Sequence, residues 1–216
     1  MKDYIFKKKV DKHFINFLRH NSNSEVGGYR IYDGHGNHIL QNPEELSWLI
    51  ENLYSIQKKY KISLKNFLEF GYASGFTNTI LYKFFNFKKI VTVDIISQEG
   101  QSKDSFFSNL RFKNLVLICG NSTSDFVKQQ VQANANYDLA FIDGGHNYDV
   151  VKNDYTLALK CMSKKSVIVF HDIDSSDCDG PRKLWKELSK NKKYEFREYI
   201  CLKYKIKYGI GIIIIK

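Results

Sequence analysis

The sequence predicts an α/β fold in which a seven-stranded, mostly parallel sheet lies between two layers of helices. From residue 66 onward, short apolar segments alternate with polar segments of helical length, which is the order of strands and crossover helices in a parallel sheet. The last two apolar segments stand too close together for a crossover helix, so they must form an antiparallel hairpin at one sheet edge. A chain of 216 residues suits one such domain with an extension.

The five parallel strands are short and rich in Val, Ile, Leu and Phe, as expected of strands that are buried on both faces. We expect them at Asn66–Phe70, Lys89–Asp94, Leu115–Cys119, Asp138–Ile142 and Ser166–Phe170. Helices are expected over residues 75–86, 102–110, 123–134 and 148–161, with a last helix beginning near Pro181. The antiparallel pair, Tyr194–Leu202 and Tyr208–Ile215, completes a Rossmann-like three-layer sandwich.

Residues 1–62 precede the alternating pattern, and we interpret them as an N-terminal extension of the sandwich domain of residues 63–216. Their first 40 residues show turn chemistry and no sustained period. A helix then opens at Pro43, with Asn42 as its cap, and should end near Lys59. We expect the extension to contact the substrate, as a lid does, or to form contacts between copies of the chain in a homo-oligomer.

The net charge of +10 is concentrated at the two ends of the chain. Residues 1–20 carry six basic and two acidic groups, and residues 181–216 carry eleven and three, which leaves the body nearly neutral. Basic surfaces attract anionic partners such as nucleic acid. Because no RNA-binding module accompanies this charge, nucleic-acid binding is disfavoured. The basic ends either steer a phosphorylated or polyanionic acceptor or keep the protein soluble, and we favour solubility.

The composition excludes several classes of protein. With 43% hydrophobic residues the chain has enough apolar area for a sizeable core, which excludes intrinsic disorder of the whole chain. The longest apolar run, residues 210–215, is much shorter than the ~20 residues that span a bilayer. The four cysteines form no CxxC pair, which disfavours a zinc ribbon or a disulfide scaffold. We therefore expect a cytoplasmic protein with reduced thiols and no membrane partner.

Ligands of an open parallel sheet bind beyond the carboxyl ends of its strands, so the residues that follow each strand are candidates for function. The first strand contains Glu69 near its end and leads into a turn with Gly71, Tyr72, Ala73 and Gly75. The two glycines allow a tight turn and a close approach of the backbone to a ligand. Their spacing is GxxxG, which differs from the GxGxxG of dinucleotide dehydrogenases.

The second and third strands also end in polar residues. Asp94, followed by Ile95, stands where a carboxylate grips the ribose diol of an adenosine-containing cofactor. Asn121 and Ser122 follow the third strand, where they contact an adenine edge or cap the next helix. The sequence leaves these two alternatives open.

The fourth and fifth strands bring two acidic residues to one edge of the sheet. Asp143 directly follows the fourth strand, and His171 and Asp172 follow the fifth. Two converging carboxylates repel each other unless a cation or a proton lies between them. Oxygen ligands suit Mg²⁺ or Ca²⁺, and His171 as a nitrogen ligand favours Mn²⁺ or another transition metal. His146, on the Gly-Gly turn after Asp143, is placed to accept a proton from a hydroxyl at that cation.

Several segments resemble those of the class I S-adenosylmethionine-dependent methyltransferases: FLEFGYASGFTN, VTVDI, ICGNS, YDLAFIDGGHNYDVVKNDYTLAL, VIVFHDID and GPRKLWKEL. More narrowly, they resemble the branch that includes the macrocin and mycinamicin sugar O-methyltransferases and the cephalosporin-hydroxylase-like proteins, a group similar to methyltransferase family 24. The resemblance covers residues 64–216, and its most specific part is DLxFIDGxHxYxxVxxD.

This resemblance implies a cofactor, S-adenosylmethionine, and a set of residues that bind it. Its methionine part would lie against Glu69, Gly71, Tyr72, Ala73 and Gly75, its ribose against Asp94 and Ile95, its adenine near Asn121 and Ser122, and its sulfonium side near Asp143.

The resemblance also implies the catalytic groups. Asp143 and Asp172, with His171, would ligate a divalent metal, Mg²⁺ or Mn²⁺, and His146 would be the general base, with Asp143 beside it. Relatives often carry Glu-Asp after the fifth strand, where this chain has His171-Asp172, so a metal-independent variant stays open.

The resulting prediction is an enzyme that methylates a hydroxyl oxygen of a sugar, a nucleotide sugar or a glycan. A sulfonium methyl is already electrophilic, so such an enzyme must mainly align the acceptor oxygen and remove its proton. The alternatives are methylation of an amine or a phosphate oxygen without metal, methylation of RNA, and a binding module without catalysis that keeps the fold.

Overall fold

The computed structural model describes residues 8–30, 39–73, 75–95, 114–203 and 208–216. Seven strands form one sheet: β1 (Asn66–Phe70), β2 (Lys89–Asp94), β3 (Leu115–Cys119), β4 (Tyr137–Ile142), β5 (Met162–Phe170), β6 (Glu195–Cys201) and β7 (Tyr208–Ile215). The described helices are α1 (Lys12–Asn21), α2 (Pro43–Tyr60), α3 (Phe76–Phe85), α4 (Asp125–Ala133), α5 (Tyr148–Cys161) and α6 (Asp179–Leu188). The helix predicted over residues 102–110 lies outside the described residues.

The sheet confirms the predicted fold class. Its strand order is β3-β2-β1-β4-β5-β7-β6. The first five strands run parallel to one another, whereas β7 runs antiparallel to both β5 and β6. The carboxyl ends of β1 to β5 therefore meet at one edge of the sheet, which is where ligands of such sheets bind.

Strand β5 is longer than predicted, because it begins at Met162 rather than at Ser166. Its first residue pairs with Tyr137 of β4, and the register shifts before the regular pairing resumes at Leu139 and Val167. The added residues are partly exposed and polar, so they lack the continuous apolar pattern by which the buried part of the strand is recognised.

Helix α1 is absent from the sequence-based prediction, which treats residues 1–40 as irregular. The side chain of Asp11 caps it by accepting hydrogen bonds from the backbone N–H groups of His13 and Phe14. Phe14 and Leu18 lie on one helix face and are fully buried. Phe17 packs against the same core, and the apolar stripe of α1 thus spans little more than one turn, which is too short to establish a helical period in the sequence.

Two hydrophobic clusters cover the two faces of the sheet. One contains apolar side chains of α1, α2 and α3, and in it the ring of Phe14 meets that of Phe84 edge-on at a centroid distance of 4.9 Å. The other contains those of α4, α5 and α6. The first two helices thus share a core with the sheet. Among the described residues, no helix is both long and apolar enough to cross a membrane.

Candidate active site

A cavity of about 720 Å³ opens at the carboxyl ends of the parallel strands. Residues from the turns after all five parallel strands line it, and Gln41, just before α2, contributes to its wall. Sites for small molecules and cofactors usually occupy about 300–1,000 Å³, so the cavity is large enough for a nucleoside cofactor. Every strand end that the sequence singles out contributes at least one residue to its wall.

The glycine turn after β1 has the backbone geometry that its sequence requires. Gly71 adopts a φ of +89°, and a Cβ atom there would lie 2.0 Å from the carbonyl oxygen of Asp143. The turns after β1 and β4 can therefore abut only because residue 71 has no side chain. Gly71, Tyr72 and Ala73 line the cavity, whereas Gly75, the first residue before α3, does not.

Asp94 fixes the glycine turn to the end of β2. Its Oδ2 accepts hydrogen bonds of 2.8 Å from the backbone N–H groups of both Tyr72 and Ala73. The carboxylate is largely buried and lines the cavity, and Ile95 beside it is 74% exposed. Asp94 is thus oriented before any ligand arrives, which lowers the entropic cost of binding.

Glu69 lies beneath the turn and does not line the cavity. Its Oε2 accepts hydrogen bonds from Asn78 Nδ2 at 2.7 Å and from Thr92 Oγ1 at 3.0 Å, and the side chain is fully buried. Burial raises the pKa of Glu69 to about 8, and the nearby carboxylates of Asp143 and Asp94 add to this effect. Glu69 therefore carries a proton at neutral pH and braces α3 against β2.

Replacing Glu69 with Gln should stabilise the protein at alkaline pH. Folded Glu69 keeps its proton up to about pH 8, whereas glutamate in the unfolded chain loses it near pH 4.5. Between these values the folded state binds more protons, so the free energy of unfolding falls as the pH rises, by at most about 1.4 kcal/mol per pH unit. Gln is always neutral and removes this loss.

Thermal melts of the wild type and of Glu69→Gln at about pH 5 and about pH 8.5 would measure the effect. We expect the melting temperature of the variant, relative to that of the wild type, to be several degrees higher at about pH 8.5 than at about pH 5. A difference that is equal at both pH values would contradict the prediction.

Asn121 and Ser122 line the cavity beyond β3 and do not cap the next helix. The cap of α4 is Ser124, whose Oγ accepts a hydrogen bond from the N–H of Val127. Asn121 Oδ1 instead accepts hydrogen bonds from the backbone N–H and the hydroxyl of Thr123. Of the two alternatives that the sequence leaves open, helix capping is thereby excluded.

Three potential metal ligands converge after β4 and β5. Nδ1 of His171 lies 3.1 Å from Oδ1 of Asp143 and 3.3 Å from Oδ1 of Asp172. Adjacent ligands of an octahedral ion with bonds of about 2.1 Å are separated by about 3 Å, so these spacings suit one small divalent cation. Asp172 also adopts a φ of +59°, a left-handed conformation that costs free energy and is common at functional sites.

The other ring nitrogen of His171 contacts a residue of α2. Nε2 of His171 lies 2.9 Å from Oε1 of Glu45, a fully buried side chain that also accepts a hydrogen bond from the N–H of Asn42 in a capping box. Carboxylates in this position orient a metal-bound histidine and leave its other nitrogen to the metal. Sequence reasoning missed Glu45, because the capping box already accounts for a glutamate at that position.

Gln41 positions Asp143 in a similar way. Its Nε2 donates a hydrogen bond of 2.7 Å to Oδ2 of Asp143, and its Oε1 accepts one from the hydroxyl of Thr77. Oδ2 of Asp143 is thus engaged, and Oδ1 faces His171. Like Glu45, Gln41 was not predicted as a site residue. It belongs to the extension and lies 102 positions from Asp143, so no local pattern connects the two.

The electrostatics of this cluster require a positive charge. Burial alone would lower the pKa of His171, but the carboxylates of Asp143, Asp172 and Glu45 together raise it well above its usual value. Burial would raise the pKa of Asp172, yet the charge and hydrogen bond of His171 lower it. The imidazole either holds a proton here or shares the space with a metal ion.

His146 stands at the open side of the cluster. Its Nε2 lies 3.4 Å from Oδ2 of Asp172, and its side chain is 55% exposed. Gly180, at the start of α6, donates its N–H to the His146 carbonyl, and a Cβ atom at Gly180 would lie 2.4 Å from that oxygen. Close packing against α6 therefore fixes the backbone of the turn, while the imidazole faces the cavity.

Cys178 also lies within reach of His146 and Asp172, in a second set of potential ligands. Burial and the negative charge of Asp172 raise the pKa of its thiol to about 11. Mg²⁺ and Mn²⁺ prefer oxygen ligands to soft sulfur ligands, so a site for these ions would not use Cys178.

The sheet order, the glycine turn after β1, the acidic residue after β2 and the cavity are those of the Rossmann-like methyltransferase fold. Residues 68–173, just under half of the chain, match a family model described as a methyltransferase domain. This match and the fold together support a methyltransferase dependent on S-adenosylmethionine. No curated protein sequence matches it.

Solved structures share this fold at low sequence identity. The O-methyltransferase TomG from Streptomyces achromogenes, in complex with SAM, aligns with a TM-score of 0.63 and 14% identity over 98% of this chain and 92% of its own. An O-methyltransferase from Bacillus cereus, in complex with SAH, aligns with a TM-score of 0.59 and 16% identity over 96% and 92%. MycE of the mycinamycin biosynthetic pathway, in complex with Mg and SAH, aligns with a TM-score of 0.55 and 14% identity over 93% and 54%. At such identities the likeness concerns the fold.

Proposed function

We propose that this methyltransferase transfers the methyl group to a hydroxyl oxygen of a sugar, a nucleotide sugar or a glycan, with the help of a divalent cation. The observation that carries the proposal is the convergence of Asp143, His171 and Asp172 on one point of the cavity wall. A cation at that point would bind the acceptor oxygen and favour loss of its proton. Methylation of an amine has little use for such a cation.

The cavity has the parts that S-adenosylmethionine needs. Gly71, Tyr72 and Ala73 would hold the methionine part, Asp94 would accept hydrogen bonds from the ribose, and Asn121 and Ser122 would border the adenine. Glu69 and Gly75 would act from outside the cavity, by supporting the turn. The cofactor supplies an electrophilic methyl group, so the protein must place the acceptor oxygen in line with it.

The donor set favours Mn²⁺ or Mg²⁺ as the metal. It offers two carboxylates and one imidazole, and nitrogen ligands are better tolerated by Mn²⁺ than by Mg²⁺. Glu45 would orient His171 so that Nδ1 faces the ion, and Gln41 would do the same for Asp143. The MycE structure, which shares the fold, contains Mg.

His146 would serve as the general base. It is the described histidine that combines cavity lining with solvent access, and Asp172 lies beside it to stabilise the imidazolium that forms. A proton taken from the acceptor hydroxyl could pass from His146 to solvent.

Replacing His146 with Gln should lower kcat by about 100-fold or more, because a positioned general base typically contributes 100- to 10,000-fold. The affinity for S-adenosylhomocysteine, measured by calorimetry, should not change. The matched control is His13→Gln on the exposed surface of α1, which should leave kcat unaltered. Wild-type turnover in His146→Gln would exclude the base assignment.

The charges around the cavity favour a neutral acceptor. Its described lining includes the carboxylates of Glu25 and Asp177 beside the ligand cluster, and it contains no Lys or Arg. Acidic walls repel phosphate and accept hydrogen bonds from hydroxyl groups. Simple sugars and glycans are therefore better candidates than nucleotide sugars.

The proposal is tested with labelled S-adenosylmethionine and a panel of glycosides, glycans and nucleotide sugars, assayed with Mn²⁺, with Mg²⁺ and with EDTA. We expect label on a hydroxyl oxygen and loss of activity in EDTA. No transfer to any hydroxyl, with transfer to amines or phosphates instead, would overturn it.

One observation favours a second candidate, metal-free methylation of an amine or a phosphate oxygen. The raised pKa of His171 means that a protonated imidazole would satisfy the carboxylates without a metal. Full activity in EDTA would select this candidate.

A further inference from the structure

Asp154 is a buried acid that the proposed reaction does not use. It lies two turns into α5, is 1% exposed, and lines the same cavity. Its Oδ2 has no hydrogen-bond partner among the described residues. An unsatisfied buried oxygen costs about 1–3 kcal/mol, and more when it is charged. A ligand that donates a hydrogen bond to this oxygen would offset that cost.

The surroundings of Asp154 place it at the end of the cavity that follows β3. The Nδ2 of Asn153 donates hydrogen bonds to the carbonyl of Ser122 at 3.1 Å and to Oδ1 of Asp154 at 3.3 Å. Among the described residues, the partners of Asp154 are thus the hydroxyl of Ser122 and the amide of Asn153, and none of them is a cation. Burial raises the pKa of Asp154 to about 6, against the hydrogen bonds from Ser122 and Asn153, so the group is largely ionised at pH 8.

We infer that Asp154 recognises the base of the cofactor: its Oδ2 accepts a hydrogen bond from the exocyclic amino group of adenine. The inference rests on the proposed placement of the adenine beside Asn121 and Ser122. Asp154 lines that end of the cavity and its Oδ2 lacks a hydrogen-bond donor among the described residues, and the amino group of adenine is such a donor. Hypoxanthine carries a carbonyl oxygen in its place, which would face the carboxylate and repel it.

The inference predicts discrimination between two ligands that differ at one position of the base. Calorimetry at about pH 8 would compare S-adenosylhomocysteine with S-inosylhomocysteine. The wild type should bind the adenine compound at least about 10-fold more tightly, because mispairing leaves a buried acceptor unsatisfied. Asp154→Asn, whose amide offers both a donor and an acceptor, should reduce that ratio at least several-fold.

Asp149→Asn is the matched control, since it removes the same charge from an exposed position of the same helix and should keep the wild-type ratio. An equal affinity of the wild type for the two ligands would overturn the inference, even if Asp154→Asn does not fold. So would a folded Asp154→Asn with the wild-type ratio, which would indicate that Asp154 only braces α5 against the turn after β3. A wild type that binds neither ligand would instead contradict the cofactor site itself, and the inference would fall with it.

Discussion

Replacing Asp94 with Asn is expected to weaken the binding of S-adenosylhomocysteine by about 100-fold or more. Hydrogen bonds to an ionised group contribute about 1.5–3 kcal/mol each, and a ribose diol would donate two of them to this carboxylate. The carboxylate is already oriented by the N–H groups of Tyr72 and Ala73, so little binding free energy is spent on ordering it. Isothermal titration calorimetry measures the change directly.

Two controls separate recognition from folding. Asp125→Asn removes the same charge from α4, where the side chain is 93% exposed, and should leave the affinity unchanged. Because the amide oxygen of Asn can still accept hydrogen bonds from the glycine turn, the melting temperature of Asp94→Asn should stay close to that of the wild type. An Asp94→Asn variant with wild-type affinity would exclude Asp94 as the ribose ligand.

Replacing Asp172 with Asn is expected to lower the affinity for Mn²⁺ by about 100-fold and the rate of methyl transfer by a similar or larger factor. The substitution removes one of two charged oxygen ligands and leaves the imidazole of His171 with one fewer carboxylate. Electron paramagnetic resonance counts free Mn²⁺ and thus measures the affinity without reference to activity. Chelation of the metal in the wild type should reproduce the loss of rate.

Asp174→Asn is the control for this prediction, because Asp174 follows the same strand and does not line the cavity. It should bind Mn²⁺ as the wild type does. If the wild type itself takes up no Mn²⁺ and keeps its activity in EDTA, the cluster holds a proton on His171 and the metal-free candidate replaces the first proposal.

Most of the sheet was predictable because its strands carry a strong local signal. Strand β1 and strand β2 are buried on both faces, and their boundaries match the predicted ones residue for residue. The turns between the strands were recognisable from Gly71 after β1 and from the acidic residues at the ends of β2, β4 and β5. Those residues reach one cavity because parallel strands place their carboxyl ends at the same edge.

The parts that escaped prediction depend on contacts between distant positions. His171 and Glu45 are 126 positions apart, and the pattern around each residue reports only its own helix or strand. Helix α1 was not predicted for a different reason, since its stripe of Phe14, Phe17 and Leu18 spans little more than one turn and is too short to establish a period. Local sequence patterns therefore predict which residues after the strands line the cavity. They do not predict which residues of the N-terminal extension orient those side chains.

Glu45 links the start of a helix to the orientation of a candidate metal ligand. The same oxygen that closes the capping box of α2 also faces the imidazole of His171, so the folding of that helix end and the assembly of the ligand cluster are coupled events. A fragment trimmed to residues 63–216 would retain all seven strands, yet it would lack both Gln41 and Glu45. The smallest fragment able to preserve this geometry must start before Gln41, and any search for an isolated catalytic core should set its limit there.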